Sequence, residues 1–160
     1  NNLVKLSIWV EEVWSQIDVQ LKRRYDLIPN LVETVKGYAA HEKETLEKVI
    51  QARNQLIQGR PEERMEADNQ LTGALKSIFA LQEAYPDLKA NENFLKLQEE
   101  LTSTENKVAY SRQLYNSTVA QYNIKRQSFP TVLFAGMLGF YPKEQLSIPQ
   151  EEREAPQVKS

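Results

Sequence analysis

Apolar residues recur every three or four positions from the start of the chain, at Leu3, Leu6, Val10, Val13 and Ile17, with the phase carried on by Gln20 or Leu21. Alternating threes and fours mark one face of a helix. A flanking column holds Trp14, Asp18, Leu21 and Tyr25. The helical phase continues through Ile28, Leu31, Val35, Ala39, Leu46, Val49 and Leu56. A single rod of that length cannot fold back on itself, so the chain must turn. Two places compete. Asp26 with Pro29 reads as a helix start, because Asp is a good N-cap and Pro in a first turn removes an amide that has no partner. Pro29 in a helix interior costs about 3 kcal/mol instead. The break is therefore placed at Tyr25–Asp26; the rival keeps Pro29 inside one long helix and turns near Gly37–His41.

A third segment opens after Gly59-Arg60-Pro61, where glycine ends one helix and proline starts the next. Its stripe is Ala67, Leu71, Leu75, Ile78, Leu81 and Tyr85, closed by Tyr85-Pro86-Asp87. The fourth runs from about Asn91 to Gln127 without Pro or Gly, with one apolar residue per heptad at Phe94, Leu101, Val108, Tyr115 and Tyr122. Four amphipathic helices with short connections predict an all-α fold, an antiparallel up-and-down four-helix bundle of long helices over residues 1–141. The apolar piece 131–140, with Gly136 and Gly139, is expected to cap one end of the bundle, or else to form a partner or membrane contact surface. From Pro142 the periodicity is lost and Pro, Glu and Gln accumulate, which predicts a mobile tail over 142–160.

Composition narrows the chemistry. Charged residues make up 26% of the 160, but they nearly cancel to a net charge of −2. That balance supplies no field for nucleic acid. Cysteine is absent, which removes thiol nucleophiles, disulfides and zinc–thiolate sites. No apolar run approaches the roughly 20 residues of a membrane span. The single histidine, His41, has Tyr38 three residues before it, so the Glu-x-x-His pairs of carboxylate-bridged metal bundles are missing. There is no Gly-x-Ser-x-Gly elbow and no phosphate-binding glycine loop. Neither a metal nor a cofactor is expected, and an enzyme ranks last among the function classes. Lys22-Arg23-Arg24 spreads three cations around a helical turn, which reads as a solvated face with one inward, ion-pairing arginine.

Polar residues at core phase stand out. Beside Leu101, Val108 and Tyr115 runs the column Gln98, Glu105, Arg112 and Val119, and the other flank carries Asn116 and Asn123. Glu42 and Arg53 interrupt the second stripe, and Asp18 lies between Trp14 and Leu21. Charges near a core need partners, because a lone buried charge costs several kcal/mol. Glu105 and Arg112 are two turns apart, roughly 10 Å, so each is expected to pair across helices. Asp18, Arg53, Glu105, Arg112, Asn116 and Asn123 thus form a candidate polar layer, either a set of inter-helix ties that fixes the register or a polar ligand pocket.

The run Ile17-Asp18-Val19-Gln20-Leu21-Lys22-Arg23-Arg24-Tyr25-Asp26-Leu27-Ile28-Pro29-Asn30-Leu31-Val32 is the most distinctive stretch. It is followed in order by Val35-Lys36-Gly37-Tyr38-Ala39, His41-Glu42, Ala52-Arg53, and Glu83-Ala84-Tyr85-Pro86-Asp87-Leu88-Lys89-Ala90. Next come Phe94-Leu95-Lys96-Leu97-Gln98, Thr104-Glu105-Asn106 and Ala109-Tyr110-Ser111-Arg112. Tyr115-Asn116, Tyr122-Asn123, Phe129-Pro130 and Gly139-Phe140 complete the set. Together, over about residues 2–141, these segments resemble the LemA family of membrane-anchored bacterial helical proteins. The resemblance implies a helical fold, a bacterial origin and a single N-terminal transmembrane helix, and it carries no catalytic residues. The chain opens Asn1-Asn2 with a helical pattern running by Leu3, so the anchor is expected to precede it. Trp9 and Trp14 would then lie within roughly 20 Å of the anchor's end, and Trp favours bilayer interfaces. Lys5, opposed by Glu11 and Glu12, does not orient the anchor across the membrane. The expected function is a non-enzymatic scaffold or interaction module at the cell membrane, with a protein partner and no nucleic acid. The alternative is a ligand-binding or sensory bundle that uses the polar layer.

Overall fold

The computed structural model describes residues 2–127, 139 and 143–146. Every regular element among them is helical: α1 Asn2–Ala39, α2 Lys43–Leu56, α3 Pro61–Ala80, a 3-10 turn Leu81–Glu83, the one-turn α4 Pro86–Lys89, and α5 Glu92–Gln127. The capping segment expected over 131–140 lies outside the described residues apart from Gly139, as does most of the tail.

The break placed at Tyr25–Asp26 is not there. α1 runs without interruption for 38 residues, with Pro29 inside it, and the chain turns at residues 40–42, where the Glu42 amide donates to the Ala39 carbonyl. The physical reason is a contact from another helix. Pro29 has no N–H, so the carbonyl of Tyr25, four residues back, loses its helical donor. Arg53 of α2 fills that gap: its Nε donates to the Tyr25 carbonyl at 3.1 Å, and its guanidinium lies 5.9 Å from the centre of the Tyr25 ring. The missing hydrogen bond is replaced by a neighbouring helix, as proline inside a helix requires.

The α2–α3 connection follows the sequence. Gly59 takes φ +132°, a conformation that side chains resist, and Pro61 occupies the first turn of α3. Glu63 accepts from the Arg60 amide at 3.1 Å and from Arg60 Nε at 2.9 Å. That is half of a capping box; the other half needs an acceptor at the cap, which arginine lacks. Arg60 beside it holds the Glu63 carboxyl below the usual carboxylate range. Arg64 Nε closes the far side by donating to the Leu56 carbonyl at 3.0 Å. At the other end of α3, Asn91 caps α5, its Oδ1 accepting the Phe94 amide at 2.8 Å.

The chain divides into two compact units. One holds residues 1–19 and 107–146. Its core is Leu3, Val10, Val13 and Ile17 from α1, Val108, Tyr115, Val119 and Tyr122 from α5, and Leu146. Trp14 meets Tyr115 edge-on, with ring centres 5.8 Å apart. The other unit contains residues 20–106. There Leu21, Ile28, Leu31 and Val35 of α1 are buried with Leu46, Val49 and Leu56 of α2. Leu71, Leu75 and Ile78 of α3 and Phe94, Leu97 and Leu101 of α5 complete that core. Phe79 and Phe94 make a second edge-on pair at 6.0 Å. All five heptad residues of α5 are buried, as the stripe predicts.

Candidate functional site

The helix faces that place these apolar stripes also aim a set of polar side chains in each unit. In the unit of residues 20–106, Arg24 is the inward member of the triple cation. Its Nη1 pairs with Asp68 of α3 at 2.5 Å and donates to Thr72 at 3.2 Å, and both charged groups are buried. Asp68 was not among the residues singled out from the sequence. Its only signal was a charge in register between Ala67 and Leu71. Arg53, half-buried, is engaged by the Tyr25 carbonyl. Glu105 is half-buried.

Three further ties in this unit join signature residues to other elements. Tyr85 donates to Glu42 at 3.1 Å. That bond to a carboxylate favours the neutral phenol and, with desolvation, raises the Tyr85 pKa. Asn91 Nδ2 donates to the Tyr38 hydroxyl at 2.9 Å. Asn93 Nδ2 is shared between Asn30 Oδ1 at 3.1 Å and Thr34 Oγ1 at 2.8 Å.

In the unit of residues 1–19 and 107–146, Arg112 is buried. Asp18, read from the sequence as a charge near the core, is exposed. At 3.6 residues per turn it lies about 100° round the helix from buried Ile17, beyond half-exposed Trp14. Asn116 and Asn123 are half-buried on α5. They hold the segment Lys143–Leu146, which the composition assigned to the tail. Asn123 Nδ2 donates to the Lys143 carbonyl at 2.8 Å, and its Oδ1 accepts the Lys143 amide at 2.9 Å. Asn116 repeats the arrangement on Leu146, at 3.1 Å and 2.6 Å. Gln145 Nε2 donates to the Asn116 carbonyl at 3.2 Å. Lys143 Nζ stands 5.1 Å from the centre of the Tyr122 ring, and Leu146 is buried.

The six candidate residues are thus divided between the units, four in one and two in the other. Two shallow grooves, of about 400 and 410 Å³, run between α2 and α3 and are lined largely by amides such as Asn54, Gln55, Gln58 and Gln70. Neither groove contains any of the six. Among the described residues no three acidic or imidazole groups gather as a metal site, and no helix is long and apolar enough to cross a membrane. Among the described residues the four most exposed large apolar side chains fall in one unit: Tyr110 is 70% exposed, Ile124 66%, Val19 62% and Ile8 50%, all in the unit of residues 1–19 and 107–146. Among the described residues of the other unit the most exposed is Leu95, at 45%.

The chain is 29% identical to protein LemA of Metamycoplasma hominis over 146 residues, covering 88% of this chain and 65% of the relative. It is 25% identical to the magnetosome protein MamQ of Magnetospirillum gryphiswaldense over 153 residues, covering 79% of this chain and 56% of the relative. The chain therefore spans less than two thirds of the length of either. The sequence profile of the LemA family matches residues 13–159. With the signature residues forming the inter-helix ties described above and the family match covering nearly the whole chain, this protein belongs to the LemA family.

Proposed function

We propose that this chain is the helical domain of a membrane-anchored, non-enzymatic scaffold that acts by binding another protein. Its helices form an up-and-down antiparallel bundle, and the anchor is a single helix N-terminal to α1. The observation that carries the reading is the concentration of exposed Tyr110, Ile124, Val19 and Ile8 in one unit. Scattered apolar residues are ordinary on a soluble surface, whereas the four most exposed falling in one unit favours a contact role. Val4, Ile8 and Trp9, exposed in the first turns of α1, suit a segment close to a bilayer. Arg24 and Arg53 are engaged by groups of the protein itself, which supports ties rather than a ligand pocket between the helices. Neither relative's name gives a reaction.

Affinity capture from detergent-solubilised membranes tests the proposal. The full-length protein should retain a reproducible protein partner. A Val19→Ser/Tyr110→Ala variant with an unchanged melting temperature should lose it. Equal retention by wild type and variant, or retention of no protein at all, would overturn the reading.

A further inference from the structure

Asn116 and Asn123 lie seven residues apart on α5, which is about 10.5 Å along a helix. The residues they hold, Lys143 and Leu146, are three apart. Three residues cover about 10 Å only when the chain is nearly fully extended. The segment runs opposite to α5, since Lys143 meets Asn123 and Leu146 meets Asn116. Each asparagine amide engages the N–H and the C=O of the same residue, as the residue opposite does in an antiparallel strand pair. Four of the contacts therefore read main chain, which every extended peptide offers. Two others read side chains: the Lys143 ammonium over Tyr122 and the buried Leu146.

The geometry points to a peptide clamp: Asn116 and Asn123 form a binding site for an extended peptide with a cationic residue followed three places later by leucine. The chain's own Lys143–Leu146 is its resident, intramolecular ligand, and a partner's segment of the same pattern displaces it. This deepens the interaction-module reading and rests on it for the existence of a partner. Three features separate the clamp from an ordinary surface contact. It is built of two matched bidentate amides at heptad spacing. It belongs to the unit with the most exposed apolar side chains. It holds its occupant mainly by backbone, the mode by which a groove accepts different sequences.

The resident segment is tethered to α5 through residues 128–142. Covalent attachment raises the effective concentration of the resident segment, against which a free peptide must compete. The test uses a fluorescently labelled peptide of residues 143–149 and the full chain, read by anisotropy. The peptide should bind the wild-type chain weakly. It should bind about tenfold more tightly to a Lys143→Pro/Leu146→Pro chain, whose own segment has lost both amide donors. Binding should vanish on an Asn116→Ala/Asn123→Ala chain, and also when the peptide is N-methylated at the positions of Lys143 and Leu146. Absence of binding to the released chain, with its helical circular dichroism intact, would overturn the clamp. So would binding that ignores the asparagines or the N-methyl groups. Should the proline variant fail to fold, the wild-type chain at high concentration and the N-methylated peptide still decide the question. Failure here leaves the scaffold reading standing if Val19 and Tyr110 still govern partner capture.

Discussion

Arg24 and Asp68 hold opposite charges almost wholly out of water, and nothing about such a pair guarantees a net gain in stability. Removing one partner strands the other, so Asp68→Ala should cost about 3–5 kcal/mol, whereas Arg24→Met/Asp68→Leu should return close to wild type. Urea melts of the two variants check this. A mild Asp68→Ala phenotype would mean that Arg24 finds another partner. Tyr85 supplies a pH-dependent counterpart. Its phenol pKa is raised by the bond to Glu42 and by desolvation. The folded value therefore exceeds the unfolded one, and the stabilisation is complete below the ordinary phenol range and lost as pH rises through the folded value. Glu42→Gln should bring the Tyr85 titration back toward the ordinary phenol value, as followed by NMR of labelled tyrosine. Some of this was legible in the sequence. Three consecutive cations cannot share one face, so one inward arginine was expected, and Arg24 fills that role. Asp68 was not legible as its partner, because periodicity reports which face a residue occupies and not which helix it meets. Asp18 shows the same limit: the edge of a stripe is where helical phase alone cannot separate core from solvent.

The long element α1 depends on another element for its continuity. Pro29 leaves the Tyr25 carbonyl without its helical donor, and Arg53 of α2 supplies one. Arg53→Ala should therefore cost about 1–3 kcal/mol. In a Pro29→Ala background the new amide restores the helical bond, and the cost of Arg53→Ala should fall by about 0.5 kcal/mol or more. Equal costs in the two backgrounds, measured by denaturant melts, would show that the two residues act independently. This coupling explains why the sequence favoured a turn at Asp26. The N-cap and proline signals there are genuine local preferences, and a contact from 28 residues away outweighs them. Elsewhere local signals prevailed. Gly59-Arg60-Pro61 ends α2 and begins α3, and Asn91 opens α5. The α5 heptad stripe is buried from Phe94 to Tyr122. The Asn123–Lys143 and Asn116–Leu146 neighbourhoods could be only half anticipated. Asparagines at core-flanking phase signal an unmet need for partners, but a non-periodic segment gives no sign that it will meet that need.

At the scale of the molecule, eight of the residues that carry the family resemblance serve as ties. Arg24, Arg53, Asn30, Tyr38, Glu42, Tyr85, Asn116 and Asn123 each bond to another element or to the tail segment. Under the proposed scaffold reading, the exposed apolar residues of the unit of residues 1–19 and 107–146 are the surface that meets a partner. A scaffold of this kind should tolerate substitution at Tyr110 without loss of fold. Tyr110 is 70% exposed, and surface changes of this type usually stay within about 0.5 kcal/mol. The most direct measurement replaces Tyr110 with a photo-crosslinking amino acid in the full-length protein, irradiates it in its native membranes and identifies the adducts by mass spectrometry. The account predicts one recurrent adduct with a second protein species. Adducts confined to lipid or a small molecule, or no adduct above background, would contradict it.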